Sequence, residues 1–391
     1  MTSTARWIIA LATGFVGLFI AAVFILTAVV DPNSYRDEIE SAVRQATARD
    51  FRLQGDIDTA WFPWLALETG PAELGNPDGF PPGPPLLKWR SAIVGVRALP
   101  LLRRSLVVDR VRFDGLQAHL RVDADGRANW EGFATPRPEE GGGVGPIPRN
   151  AGLEIRDGSL EYSDARTGTR LGIADWNLDV GAFSSGEPVP VRTRFSFRGL
   201  PVELREDALT VSLDPLRISA PAWSLRLGDT SIEGALASED GLQRIGGSVR
   251  GAAPSLRALL ASLGANAPQT RDAEAIGALR LAGSWRYDRG VLTVKPLELK
   301  LDDTTLSGTL SRAPAARADA EALWMFELRG DRVDLDRYRE PHEAGGKPFE
   351  LPVEQLQAAN VRGTLTFESA RLAGIEANDV NLRVVTDEPA Q

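Results

Sequence analysis

The chain of 391 residues contains no cysteine and only two histidines, His119 and His342. The first absence excludes disulfides, thiolate zinc sites, iron–sulfur clusters and a thiol nucleophile. The second excludes a histidine-rich metal site and leaves imidazole catalysis poorly supplied. Lysine is nearly missing, 4 residues against 40 arginines, a skew of genomic composition and not of guanidinium chemistry. An excess of positive charge is lacking too: the formal net charge is −9 and the pI about 5.1, so no nucleic acid is expected as a partner.

Long apolar runs are scarce, with one exception. Trp7 to Val30 is a run of 24 residues without charge, between Arg6 and Asp31. At ~1.5 Å per residue a helix of that length reaches ~36 Å, enough to cross a hydrocarbon core of ~30 Å with some tilt. It exceeds the ~7 to 15 apolar residues of a cleaved signal peptide and leaves as Ala28-Val29-Val30-Asp31, without a small-x-small cleavage site. The sequence predicts an uncleaved anchor over 7–30 after a tail of residues 1–6. The arginine count does not orient it, because Arg6 precedes the run and Arg36, Arg44 and Arg49 come after it, and long domains translocate largely regardless of charge. The remaining residues hold no second span and are expected to form one soluble ectodomain.

After the anchor, Asp31 is placed to cap a helix with Pro32 at its first position, and Tyr35, Ile39, Ala42, Val43 and Ala46 recur at helical spacing. From Phe51 the period becomes two. Leu116, Ala118, Leu120 and Val122 alternate with polar residues, as do Val191, Thr193, Phe195 and Phe197. The pattern recurs at Leu209-Val211-Leu213, Leu216-Ile218, Trp223-Leu225-Leu227, Leu297-Leu299-Leu301, Leu306-Gly308-Leu310, Trp324-Phe326-Leu328, Val361 to Phe367 and Val380-Leu382-Val384. Turn signals at Asp125-Gly126, Asp157-Gly158, Asp240-Gly241 and Asp288-Arg289-Gly290 separate such runs. The expectation is a mainly β fold: an elongated antiparallel sheet or groove of repeated hairpins, roughly 18 short strands with few helices. Helical interruptions are expected at Ser255 to Leu263, Asp272 to Ala278 and Pro352 to Gln357. A loose repeat, a strand ending in glycine and then a turn glycine, recurs at Gly115/Gly126, Gly158/Gly168, Gly234/Gly241, Gly283/Gly290 and Gly363/Gly374. Residues 135–150, with Gly141-Gly142-Gly143 and four prolines, read as a linker between a helix-plus-β segment over 31–134 and a repeated β domain over 151–391.

No catalytic constellation emerges, and the chain is not expected to be an enzyme; no cofactor or metal set is assigned. Asp123-Ala-Asp125-Gly126-Arg127 lacks the ligand spacing of a calcium loop and reads as a hairpin turn. Asp302 and Asp303 point to opposite faces of a strand, so they read as a strand end with one carboxylate capping a turn. Gly141 to Gly145 has neither the lysine nor the helix of a phosphate loop, and no serine sits in a nucleophile elbow. His119 falls on the polar face of its strand and is expected to be solvated. Trp61, Phe62 and Trp64, about thirty residues beyond the span, are candidates for the membrane interface, with core packing the competing explanation.

Several short motifs together carry a family resemblance. Ala46-Thr47-Ala48-Arg49-Asp50-Phe51, Gly55-Asp56-Ile57, Trp61-Phe62-Pro63-Trp64, Gly75-Asn76-Pro77-Asp78-Gly79-Phe80, Leu99-Pro100-Leu101-Leu102, Val108-Asp109-Arg110-Val111 and Asp123 to Trp130, in that order after an anchor and a helix, resemble the N-terminal region of the AsmA family. Ser255 to Leu260, Leu301 to Gly308 and Val333 to Tyr338 are similar to its later segments. The resemblance implies an inner-membrane protein of Gram-negative bacteria with a cytoplasmic N-terminus, a periplasmic body and a part in outer-membrane biogenesis. It also implies kinship to bridge-like lipid-transfer proteins, whose repeated β units hold phospholipid acyl chains on an apolar floor. Family members usually continue with further β repeats beyond the segment matching Leu351 to Val385, which leaves a fragment and a short member as the two readings of this chain.

Periodicity and resemblance meet at the alternating strands, whose apolar faces need either a second sheet or lipid against them. The residues expected on the inward, lipid-facing side are Phe195, Phe197, Trp223, Leu225, Leu227, Leu299, Leu301, Leu306, Leu365 and Phe367. The partners this implies are the inner membrane and a phospholipid ligand. A scaffold that binds envelope assembly proteins through sheet edges is the second reading.

Overall fold

The computed structural model describes residues 32–60, 65–96, 108–131, 151–213, 215–239, 242–314, 322–339 and 360–384. The anchor over 7–30, the aromatic cluster Trp61, Phe62 and Trp64, the linker over 135–150, the Asp240-Gly241 turn and the helix expected at Pro352 to Gln357 lie outside these residues. Among the described residues no helix is long and apolar enough to cross a membrane. The chain divides into two compact parts, Met1–Gly172 and Ile173–Gln391.

The first part opens as its sequence predicts, with a 3-10 turn Pro32–Tyr35 leading into a helix Arg36–Thr47. Ala48 ends the helix in the left-handed region at φ 53°. Nine strands come next: β1 (Arg49–Leu53), β2 (Ile57–Ala60), β3 (Leu65–Thr69), β4 (Ala72–Pro77), β5 (Leu87–Trp89), β6 (Ser91–Val96), β7 (Val108–Asp114), β8 (Gln117–Val122) and β9 (Gly152–Asp164). The ladder is not a plain meander, for β1 pairs with β4 and β3 with β6. β9 runs parallel to β7 from Gly152 to Arg156 and parallel to β8 from Ser159 to Asp164. Asp157-Gly158 is therefore not a turn. Asp157 adopts φ 50° inside one strand at the point where β9 leaves one partner for the next, a local irregularity that re-aims a strand without ending it.

Apolar side chains of this part make a closed core. Trp89 stacks on Phe51 at 5.8 Å and meets the edge of Phe113 at 5.2 Å, with Ile57, Leu74, Val111, Leu116 and Ile155 buried around them. Several buried polar groups are met from within. Asn129, with no exposure, accepts from the Arg121 amide at 2.8 Å and donates to the His119 carbonyl at 2.7 Å and to Asn76 Oδ1 at 2.8 Å. The buried Arg49 guanidinium donates to the carbonyls of Asn129 and Glu131, and burial pushes its pKa down. Burial pushes the Asp123 carboxyl up, but hydrogen bonds from the Arg127 amide and side chain and from the Asp125 amide outweigh it and hold the group below the usual carboxylate range. That makes the predicted turn at Asp125-Gly126 a carboxylate-braced one. His119 is half-buried with Nδ1 2.9 Å from the Pro85 carbonyl, so it is held and not merely solvated.

The second part holds twelve strands: β10 (Thr169–Val180, whose first residues belong to the first part), β11 (Pro188–Phe197), β12 (Leu200–Leu213), β13 (Leu216–Leu227), β14 (Thr230–Glu239), β15 (Arg244–Ala253), β16 (Leu279–Asp288), β17 (Val291–Leu301), β18 (Thr304–Ala313), β19 (Leu323–Asp334), β20 (Val361–Leu372) and β21 (Ile375–Val384). From β10 to β19 each strand pairs antiparallel with the next, β20 lies parallel to β19, and β21 returns antiparallel. The sheet is mixed and not wholly antiparallel, because the connection after Asp334 brings the chain back to the same end. Strands are longer than the short hairpins expected, since runs read separately, such as Leu216-Ile218 and Trp223-Leu225-Leu227, fuse into one. Ser255 caps the short helix Leu256–Ser262, its side chain accepting from the Ala258 amide. Asp272 to Ala278 is not helical but a chain of turns, because its carbonyls and amides are taken by side chains: Arg257 donates to Ala275 O, and Asp302 accepts from the Ile276 and Gly277 amides at 3.0 and 2.8 Å.

Replacing Asn129 by Ala leaves the Arg121 amide and the His119 carbonyl without their side-chain partner. The expected loss is about 2 to 3 kcal/mol, read as a lower urea midpoint of the tryptophan fluorescence transition with an unchanged slope.

Candidate functional site

In a strand, side chains alternate between faces, so an apolar series keeps one face only while its parity holds. In four strands of the second part the parity changes, the first being β10, which switches between Ile173 and Trp176 where its register with β11 shifts by one residue. β12 carries Val202 and Leu204 on even positions, then Leu209 and Val211 on odd ones; β13 switches between Ala220 and Trp223; β17 switches between Val294 and Leu297. At each switch the register shifts by one residue: Val191 faces Glu206 but Val189 faces Leu209, Leu236 faces Ala220 but Gly234 faces Trp223, and Trp285 faces Val294 but Gly283 faces Leu297. A bulge supplies one extra residue, and the apolar series stays on the face it began on.

The bulges of β12 and β13 are adjacent and share a clasp. The buried Glu206 carboxylate accepts from the Ala208 amide at 2.8 Å in its own bulge and from the Ala222 amide at 3.2 Å in the next. Two backbone donors that bulging removes from the ladder are thereby satisfied.

With parity kept, apolar residues align across strands. One row runs Leu225, Ile232, Gly251, Leu281, Leu299, Leu306, Gly330, Phe367 and Val380, each facing the next. The row beside it runs Trp223, Gly234, Val249, Gly283, Leu297, Gly308, Leu328, Leu365 and Leu382. On the other side lie Phe195, Val202 and Leu227, and further along Leu301 facing Leu279, with Phe197 at the end of β11. All ten residues predicted on one face share it. Leu204, Ile232, Leu281, Trp285, Leu310, Phe326 and Leu328 belong there as well, beyond the ten predicted, and the same alternation marks them.

Gly234, Gly283 and Gly363 do not end strands, as the repeat reading expects, but lie mid-strand on this face. Close neighbours explain them: at Gly283 a Cβ would lie 2.9 Å from the Pro296 carbonyl oxygen and 3.1 Å from Val294 Cγ1, and elsewhere the neighbour is a ring. A Cβ on Gly234 would come within 2.7 Å of the Trp223 ring, one on Gly330 would run into the Phe367 ring, and one on Gly363 would lie 2.7 Å from Phe326 Cγ. The rings lie down over these glycines, shielding backbone that would otherwise be bare.

The face is only partly covered. Of the ten predicted residues Phe367 alone is buried, at 7% exposure, and the other nine are half-buried. Fully buried apolar side chains among the described residues of this part are few: Val189, Val202, Ala220, Ala253, Ala275 and Phe367. Its strands pack extensively only on their neighbours in the ladder, and no second sheet of described residues lies over the leucines. The opposite face carries mixed charge, with pairs such as Arg205–Glu203 at 2.7 Å and Arg192–Asp207 at 3.1 Å. A shallow depression of about 400 Å³ there is lined by both signs, including Glu233, Arg250, Arg280 and Glu298.

One end of the strands is tied by a polar network. Asp302 receives the Tyr338 hydroxyl at 2.8 Å as well as the two amides above, and Arg337 bridges Asp272 at 2.7 Å and Asp303 at 3.0 Å. Burial and the Asp302 carboxylate push the Tyr338 hydroxyl well above its usual range. The Gly374 and Ala373 amides, at 2.8 and 2.7 Å, and Arg339 hold the Asp336 carboxyl below the usual range. The capping aspartate expected at Asp302-Asp303 is thus Asp302, while its neighbour pairs with an arginine.

Glu206→Ala removes both acceptors of the paired bulges and should cost about 1 to 3 kcal/mol, measured by chemical denaturation; Glu206→Gln, which keeps an acceptor oxygen, should cost less. A carboxyl depressed by folding contributes stability that is present above its unfolded value and lost as pH falls through the folded one. Protection of the Ala373 and Gly374 amides against hydrogen exchange, corrected for intrinsic rates, should therefore hold at neutral pH and fall below about pH 4. Protection unchanged in acid would show that Asp336 does not hold this turn.

Comparison with curated proteins and with solved structures finds no match. The apolar face lies in residues 173–391, beyond the family match, as do the later motifs at Ser255, Leu301 and Val333. The N-terminal motifs lie within it: residues 1–139 match the model described as AsmA family.

Proposed function

We propose that the chain is a non-enzymatic protein, anchored in the inner membrane with its N-terminus in the cytoplasm and its bulk in the periplasm, that carries phospholipid on the apolar face of residues 173–391 in support of the outer membrane. The supporting observation is the face itself: apolar rows kept in phase over strands β11 to β21 and left half-exposed. A surface of that kind gains ~25 cal/mol for each Å² of apolar area taken from water. Acyl chains laid on it supply that burial while headgroups stay hydrated. The transfer is passive, with direction set by a lipid gradient or a partner.

A second reading, a scaffold for envelope assembly proteins, draws on the sheet edge. Among the described residues β21 pairs only with β20, and its Ile375 and Leu382 are 72% and 42% exposed. An open edge of this kind accepts a strand from another chain.

Photocrosslinkers placed at Phe197, Leu225 and Leu301 in cells separate the two. Lipid adducts are expected at all three positions; protein adducts alone would remove the carrier reading and leave the scaffold. Leu281→Glu should abolish lipid capture at Leu225, whereas Ser284→Glu, on the other face of the same strand, should leave it intact.

A further inference from the structure

The two ends of the apolar face differ in charge. At one end the facing residues are Ile245, Tyr287, Leu292, Arg312, Trp324 and Val361. The Arg312 guanidinium lies 5.8 Å from the centre of the Trp324 ring, is exposed, and has no carboxylate partner among the described residues. Tyr287, two strands away in the same row with Leu292 between, is 37% exposed. At the other end the same face carries Arg332, facing Ser369, and Arg371, facing Asp334. Arg332 lines a cavity of about 320 Å³ together with Arg337 and Arg371 and with Asp303, Asp334 and Glu376, so that arginines and carboxylates balance there. Among the described residues, a phosphate meets a cation without a carboxylate partner at the first end and arginines already balanced by carboxylates at the second.

Between them the surface is apolar. From Arg312 to Leu306 along β18, and from Trp324 to Gly330 along β19, six residues at ~3.3 Å each span ~20 Å. One leaflet of a ~30 Å hydrocarbon core is ~15 Å deep, so the acyl chains of one lipid fit that length.

We propose that Arg312 binds the phosphate of a phospholipid whose acyl chains lie along β18 and β19, so that lipids on this face have their headgroups at the Arg312 end. The assignment rests on the lipid-carrier reading above and gives it a polarity. A guanidinium meets a phosphate with two parallel hydrogen bonds, and the Trp324 ring steadies the cation through its face. Tyr287 and Trp324, apolar bodies with polar tips, suit the level at which headgroup and chain meet. On the opposite face arginines such as Arg205, Arg192 and Arg250 are matched to acidic side chains, whereas Arg312 stands on the apolar face against the Trp324 ring.

The test uses the full chain in detergent with three probes: a phosphatidic acid with a fluorescent acyl chain, the matched diacylglycerol, and inorganic phosphate as competitor. Arg312→Gln should weaken phosphatidic acid about tenfold, the loss of one charge-assisted contact, and leave diacylglycerol unchanged. Arg312→Lys should recover part of the loss, Arg332→Gln should change neither lipid, and millimolar inorganic phosphate should displace nothing. Equal phosphatidic acid affinity in wild type and Arg312→Gln would overturn the headgroup assignment, while retained diacylglycerol binding would leave the carrier reading standing. Displacement by inorganic phosphate would make Arg312 a free-anion site and overturn the assignment as well. Failure of the wild type to bind either lipid would overturn both.

Discussion

Keeping one apolar face through a dozen strands is the constraint on which the rest of the second part depends. A single extra residue in β12, β13 or β17 without a bulge would turn every later leucine of that strand onto the charged face and every arginine onto the apolar one. The bulges prevent this, and Glu206 ties two of them together with one carboxylate. The glycines obey the same constraint. Once the apolar residues are aligned in rows, rings such as Trp223 and Phe367 need flat backbone to lie on, and Gly234 and Gly330 provide it.

The two parts use apolar residues differently. The first encloses them around Phe51, Trp89 and Phe113 and stabilises its interior with polar groups that no solvent reaches, Asn129 and Arg49 above all. The second leaves most of its leucines half-open and gains its rigidity from backbone ladders and from networks at the strand ends, where Asp302, Asp336 and Arg337 fasten turns distant in sequence. A polar network at strand ends holds a sheet without covering its face.

Local signals carry much of this fold. The spacing of Ile39 and Val43 marks the first helix, Ser255 marks the second, and alternation marks nearly every strand, because periodicity is a property of neighbouring residues. What escapes is non-local. Nothing in Asp157-Gly158 says that its strand continues beside a new partner, and nothing near Val361 says that β20 runs parallel to β19. Asp272 to Ala278 has a helical pattern of its own, yet two of its amides are taken by Asp302, 26 and 25 residues away. The ten face residues are legible from alternation alone, while Arg312 is not, since its meaning lies in what stands beside it across two ladders. Gly234 and Gly363 read as strand ends because the ring that occupies their space comes from the adjacent strand.

Since each strand of the second part packs chiefly on the strands beside it, its energetics are one-dimensional: stability is close to a sum of nearest-neighbour interfaces. Fraying proceeds inward from an edge, and loss of one hairpin weakens its neighbours far more than distant strands. A pair of antiparallel strands can be inserted or deleted as a cassette without reversing direction or changing the phase of the remaining ladder. The parallel β19–β20 junction is where this modularity breaks, and it divides the sheet into a segment before it and a segment after it that can lengthen independently.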